Sequence, residues 1–282
     1  MMLGGAPFGT LEVSGRGPAL LGLHGFGATT QEVDMVVGIA RELGLRGLAP
    51  LLPGHGSSVL DLARMRYADW RSAAEQALHA LAREGREVIV IGSSMGSLLA
   101  LDLAADYPEL VLGVGVLGSP IRLRWPYPSL ALAAIARLEV PDFTTRKSGP
   151  DIRDPDTRRT QVTYAEQPAY AGNEVRLAGI RVEGRLGQVT CPALVAHGRH
   201  DHVCPVRNAR LVYAKLGTRP WEKELLILEH SYHIITRDLD RALLRGRLVQ
   251  FIERLAQGRT LREAAGSDAG RPVAARSTVG LG

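Results

Sequence analysis

The sequence predicts an α/β fold: a mostly parallel central sheet with helices on both faces and a small insertion. Three observations predict it. Short apolar β-runs alternate with helical apolar patterns through the first 120 residues, the signature of strands joined by crossover helices. Val88-Ile89-Val90-Ile91 runs into Gly92-Ser93-Ser94-Met95-Gly96 and then into a helical pattern, as a buried parallel strand turning sharply into a helix would. The alternation stops near residue 121 and resumes near residue 187, which marks the intervening stretch as an insertion.

In chain order, Ala19-Leu20-Leu21-Gly22-Leu23 is the first apolar strand. It enters His24-Gly25-Phe26-Gly27, and a helix is predicted over 30–43, ended by Gly44. A strand is predicted over 46–52, followed by the turn Pro53-Gly54-His55-Gly56. Trp70, Ala74, Leu78 and Leu81 stand at helical spacing and predict a long helix over 67–83. The Val88 strand and its helix come next, then a β-run over 110–117 closed by Gly118-Ser119-Pro120. The insertion is assigned to 121–186: an apolar helix over 130–138, a polar stretch rich in breakers over 141–156, and weak periodicity over 175–186. Strands then return at Ala193-Leu194-Val195-Ala196-His197-Gly198 and Leu225-Leu226-Ile227-Leu228, with a closing amphipathic helix over 243–255. The division is thus a core of 1–120 and 187–257, an insertion over 121–186, and a flexible tail over 258–282, where large apolar residues are scarce.

Composition bounds the function. The 282 residues suffice for one α/β domain with an insertion. Apolar content of 45% and charged content of 22% are those of a soluble globular protein, and no apolar run reaches the roughly 18 residues of a membrane span. Residues 1–8 carry neither a basic n-region nor a long apolar h-region, so no signal peptide and a cytoplasmic location are expected. Cys191 and Cys204, without a C-x-x-C pair, predict neither a disulfide framework nor a metal site. The net charge of +5 is dispersed and no basic patch is interleaved with aromatics, so no nucleic-acid partner is expected.

The chemistry centres on Gly92-x-Ser94-x-Gly96, a match to the nucleophile elbow. The strand-to-helix turn puts Ser94 at its tip, and a side chain at either glycine would strike neighbouring backbone. Ser93 cannot serve in this frame, because Ile91 stands where its first glycine would be. A serine nucleophile needs a base and an acid that orients the base, placed in loops at the carboxyl ends of later strands. Asp201 follows one such strand and His233 another, giving the chain order Ser, Asp, His. His230 is the competing base, and Asp102 and Asp238 are the competing acids. Asp102 is expected to face solvent or cap its helix, and Asp238 to start the final helix. His24 and His55 are expected to pin loops by hydrogen bonds, and His200 and His202 to be surface residues or loop hydrogen bonders. The oxyanion of acyl transfer needs two N–H donors, for which Met95 and Phe26 are the candidates. This chemistry calls for no cofactor and no metal.

With these pieces placed, the chain resembles the α/β-hydrolase superfamily over roughly 7–256, and more narrowly the bacterial monoacylglycerol lipase and carboxylesterase family. The matching pieces are Leu23-His24-Gly25-Phe26-Gly27, Pro53-Gly54-His55-Gly56, Asp69-Trp70, Gly92-Ser93-Ser94-Met95-Gly96, Cys191-Pro192-Ala193-Leu194, Asp201-His202-Val203 and Ser231-Tyr232-His233-Ile234-Ile235. The resemblance implies a Ser/His/Asp esterase with a small cap over an apolar acyl pocket, acting on monoacylglycerols or short-to-medium acyl esters. It implies a small-molecule ester or lipid as partner, and a monomer or homodimer. Ser97 departs from the Gly-Gly of many relatives, and no glycerol-contacting residue can be matched in the insertion. Trp125, Tyr127 and Ile135 are the cap residues expected to meet substrate. Thioester, carbon–carbon or perhydrolytic chemistry, and ligand binding without turnover, are the alternatives such a triad leaves open.

Overall fold

The computed structural model describes residues 9–123 and 143–269. Trp125, Tyr127 and Ile135 lie outside the described residues. The body begins β1 (Leu11–Val13), β2 (Arg16–Leu23), α1 (Asp34–Glu42), β3 (Leu45–Ala49), α2 (Val59–Ala63), α3 (Tyr67–Arg83), β4 (Val88–Ser93), α4 (Met95–Asp106) and β5 (Val111–Leu117). The insertion contains β6 (Thr144–Arg146), α5 (Pro155–Thr160), β7 (Glu166–Pro168) and α6 (Ala169–Glu183). The body resumes with β8 (Ala193–Gly198), α7 (Arg207–Lys215), β9 (Lys223–Leu228) and α8 (Arg241–Ala269).

Seven strands form one sheet in the order β1-β3-β2-β4-β5-β8-β9. Every pairing is parallel except that of β1 with β3 at the edge. The all-apolar run of β4 is explained by burial on both faces. Val88 and Val90 point into a core with Trp70, Leu78 and Leu98 of α3 and α4, while Ile89 and Ile91 point into one with Ile39 of α1 and Phe251 of α8. The chain goes from β2 outward to β3 on one side, then crosses back to β4 on the other. The order therefore reverses between β2 and β4, and the loops after these neighbouring strands flank the crevice where open α/β sheets bind ligands.

The helix over 67–83 forms as expected. The helix over 30–43 instead divides into a 3₁₀ turn, Thr30–Glu32, and α1. β1, α2 and α7 add elements that the sequence pattern had not marked; β1 is three half-buried or exposed residues too few to show a period. α6 shows only a weak pattern because its buried face is made of small residues, among them Ala171, Gly172, Ala178 and Gly179. A Cβ at Gly179 would lie 2.6 Å from the Pro120 carbonyl oxygen, so close approach, not apolar bulk, seats this helix. α8 runs to Ala269, past the boundary drawn at residue 258. Arg259, Leu261, Arg262, Glu263 and Ala264 are good helix formers, a local preference that a count of large apolar residues passes over. Among the described residues no helix is long and apolar enough to cross a membrane.

Asp102 does not face solvent. It is 1% exposed, and its carboxylate accepts from Tyr67 Oη at 2.9 Å, Arg181 at 2.6 Å and Arg185 at 3.1 Å. This buried network ties α6 of the insertion to α3 and α4 of the body. Asp238 likewise does not start a helix. It is buried, and its carboxylate accepts the backbone N–H groups of Arg153, Asp154, Tyr232 and Leu239.

Candidate active site

Ser94 sits at the tip of the turn between β4 and α4 with φ 50° and ψ −120°, the one non-glycine residue of positive φ among those described. The flanking glycines explain how the turn is tolerated. A Cβ at Gly92 would come 2.0 Å from the Gly96 carbonyl oxygen, and a Cβ at Gly96 would come 2.0 Å from that of Leu23 on β2. No side chain can be accommodated at either contact. Ser97, the departure from Gly-Gly, donates its hydroxyl to the Ser94 carbonyl at 2.6 Å and so adds a bond to the turn.

His233 Nε2 lies 2.9 Å from Ser94 Oγ. Its Nδ1 lies 2.7 Å from Asp201 Oδ2. Asp201 is 1% exposed, and its other oxygen accepts the Val203 and Cys204 N–H groups at 2.8 and 2.7 Å. His197 Nε2, on β8, also reaches Asp201 Oδ2 at 3.0 Å. Burial opposes ionisation of Asp201, but the two histidines outweigh it and hold the carboxyl below the usual range. Burial likewise opposes protonation of His233, yet the Asp201 carboxylate outweighs it and holds the imidazole well above the ordinary histidine value. The sequence thus brought Ser94, Asp201 and His233 to one point. His230 is exposed and stands off it, its N–H donating to Asp240.

The loop after β2 carries three consecutive N–H groups, two of them already committed. Gly25 N–H donates to Glu32 Oε2 at 3.0 Å, and Gly27 N–H donates to His55 Nε2 at 3.0 Å. Phe26 N–H between them meets no protein acceptor among the described residues, and neither does Met95 N–H at the start of α4. His24 completes the pinning by accepting the Leu52 N–H at 3.0 Å. Burial pulls His24 down to about 4 and holds His55 well below its usual value, with His24 adding to the effect. Both rings are therefore neutral and can accept these bonds.

A cavity of about 580 Å³ opens over Ser94 and His233. Phe26, Pro120, Leu123, Val175, Val203 and Ile234 give it an apolar side. Five charged residues of its lining carry no sequence motif and were missed: Glu32, Arg146, Lys147, Asp151 and Arg158. Asp151 accepts the His202 Nδ1–H at 2.7 Å and the His233 N–H at 3.2 Å, so the insertion holds the loop that carries His233. His202 is mostly exposed, as expected.

Asp201, Cys204 and His233 place one potential metal-ligand atom each within 4.8 Å of one another. These groups are already committed. Asp201 spends both oxygens on N–H donors, His233 spends both ring nitrogens, and burial pushes the Cys204 thiol up to about 11, where it stays protonated. The donor set suits proton transfer better than ligation.

Comparison with known proteins gives concordant matches. The family model described as serine aminopeptidase, S33 matches residues 17–240. A thermostable monoacylglycerol lipase of Bacillus sp. (strain H-257) is 28% identical over 242 residues, spanning 86% of this chain and 93% of that protein. A carboxylesterase of Bacillus subtilis (strain 168) is 25% identical over 243 residues, spanning 86% of this chain and 94% of that protein. A solved structure from work on LipS and LipT, two metagenome-derived lipolytic enzymes, superimposes with TM-score 0.80 at 30% identity, covering 88% of this chain and 98% of that one.

Proposed function

The chain belongs to the serine aminopeptidase S33 family and is a carboxylic ester hydrolase, and on that premise we propose that it works through Ser94, His233 and Asp201. His233 Nε2 takes the Ser94 hydroxyl proton as Oγ bonds to the ester carbonyl carbon. Asp201 fixes the imidazole with its proton on Nδ1 and stabilises the imidazolium. The N–H groups of Phe26 and Met95 receive the oxyanion. The intermediate collapses as His233 returns its proton to the leaving alcohol, and the carbon–oxygen bond breaks to give an acyl-enzyme. Water, deprotonated by His233, repeats the sequence and frees the acid.

The observation that carries this reading is the unbroken chain from Ser94 Oγ to His233 at 2.9 Å and on to Asp201 at 2.7 Å, at the floor of a cavity. Monoacylglycerols or short-to-medium acyl esters are the proposed substrates. The cavity volume lies within the about 300–1,000 Å³ typical of small-molecule sites, and its apolar side suits an acyl chain. Two tests belong together: fluorophosphonate labelling with and without Ser94→Ala, and a chain-length profile on p-nitrophenyl esters beside monoacylglycerols. Labelling that persists in Ser94→Ala, or an absence of ester turnover, refutes the proposal.

A further inference from the structure

The lining of the cavity over Ser94 is of two kinds: beside its apolar residues it carries three cations of the insertion, Arg146, Lys147 and Arg158. Among the described residues none of these three cations forms an ion pair with a carboxylate. Lys147 Nζ makes a long contact of 3.4 Å to Thr163 Oγ1. Arg158 donates to the Ser148 carbonyl at 3.2 Å and packs over Gly149, whose φ is +105°.

The two carboxylates on the same cavity do not answer these charges at close range. Asp151 accepts from His202 Nδ1, His202 N and His233 N. Glu32 accepts the Gly25 N–H, and its charge acts on Lys147 without an ion-pair contact. Lys147 also has a fixed place relative to the oxyanion loop: its Nζ lies 2.8 Å from where a Cβ on Gly27 would be. The ammonium therefore rests on the loop that holds Phe26 N–H, at the edge of the reacting centre. Burial pulls Lys147 down to about 8, so it remains cationic at neutral pH at a cost that a neutral acyl chain would deepen, because such a chain removes water and offers no acceptor. An anionic group would instead make charge-assisted hydrogen bonds there.

We propose that this cationic lining is an anion subsite, in which Lys147, with Arg158 at the rim, receives a carboxylate or phosphate carried by the ester substrate. The inference rests on the esterase reading above and narrows it: the substrate is amphiphilic, with its apolar part against Phe26 and Val175 and its charged part against Lys147 and Arg158. Either the acid or the alcohol half of the ester bears the anion, and the two origins are separable by experiment.

The test uses matched pairs of esters on the full chain. In the acid arm, mono-p-nitrophenyl adipate is compared with p-nitrophenyl hexanoate. In the alcohol arm, 1-butyrylglycerol 3-phosphate is compared with 1-butyrylglycerol. The quantity read is the ratio of kcat/KM, anionic to neutral, within each protein. Folded fraction and nucleophile reactivity cancel in this ratio, so a poorly folding variant still gives an answer. In one arm the wild-type ratio should exceed one. Lys147→Met should lower that ratio by roughly ten- to a hundredfold, the worth of one hydrogen-bonded charge. Arg158→Gln should lower it less, and Lys147→Arg should restore much of it. A ratio below one in both arms that neither Lys147→Met nor Arg158→Gln changes overturns the inference while leaving the esterase reading intact. Absence of turnover on the neutral esters as well would remove that reading, and the subsite with it.

Discussion

Asp201→Asn isolates what the acid contributes. The carboxylate takes four donors: Val203 and Cys204 N–H on one oxygen, His233 Nδ1 and His197 Nε2 on the other. An asparagine of the same shape offers one oxygen and one NH₂ group, which cannot accept. If the oxygen faces the two backbone N–H groups, at 2.8 and 2.7 Å, the NH₂ group faces both histidines. His233 is then driven to the tautomer with Nδ1 unprotonated and Nε2–H pointing at Ser94, where it cannot take the proton. If the amide turns the other way, the part-buried Val203 N–H and the buried Cys204 N–H lose their acceptor and the NH₂ group confronts them. The first arrangement loses catalysis and the second loses loop structure. The expected loss in kcat is on the order of 10⁴, equivalent to about 5 kcal/mol of transition-state stabilisation. Initial rates on p-nitrophenyl butyrate measure it, with a melting curve to separate the two arrangements. A kcat within tenfold of wild type, in a folded protein, would refute the orienting role of Asp201.

Ser94→Ala and His233→Ala should each lower kcat by on the order of 10⁶, with the double variant little worse, because the pair acts as one unit; His230→Ala should be mild, and the reverse ranking in a rate assay would exchange the two histidines. The profile of kcat/KM against pH should rise as His233 loses its proton, with a midpoint above the ordinary histidine value of about 6.5, since the Asp201 carboxylate outweighs burial and raises it. A midpoint below that value in a stopped-rate pH series would contradict the coupling. Gly96→Ala should destabilise the fold by about 1–3 kcal/mol or more, because its Cβ would meet the Leu23 carbonyl oxygen at 2.0 Å; an unchanged urea midpoint would mean that the elbow can relax. Asp151→Ala should lower kcat as well as alter KM, because the Asp151 carboxylate accepts the His233 N–H; a pure KM effect would confine Asp151 to substrate contact.

How much of this was legible in the sequence follows from how locally each feature is encoded. The β4–α4 junction could be read because a strand, a sharp turn and a helix each leave a pattern within a few residues, and because the two glycines answer contacts that only glycine permits. Asp201 and His233 were legible through their place just after strands. Phe26 was legible as a position, but the reason it is the available donor is not. That reason depends on Glu32 and His55 taking the N–H groups on either side, partners 7 and 28 residues away from their glycines. Lys147 and Arg158 lie in a stretch of polar residues and breakers that resembles any solvated loop. Only the return of the insertion over the sheet makes that polarity part of a cavity lining. Asp102 was misread for the converse reason. A carboxylate on a helix is ordinarily solvated, and its three partners come from α3, from α6 and from Arg185 just past α6, distant in the chain.

The insertion supports the loop that carries His233. Asp151 binds the His233 N–H through both its carbonyl and its carboxylate, at 3.2 Å in each case. Asp238, between His233 and α8, takes the N–H groups of Arg153 and Asp154 at 3.0 Å and that of Tyr232 at 2.7 Å. The segment 151–154 and the His233 loop are thus laced to each other by a part-buried carboxylate, Asp151, and a buried one, Asp238. Buried carboxylates that accept several backbone N–H groups hold their geometry firmly, since each lost bond strands a donor. A base that must stay within hydrogen-bond reach of Ser94 gains from such a tether. On the proposed mechanism, substitutions in 151–154 should therefore alter proton transfer as well as substrate binding.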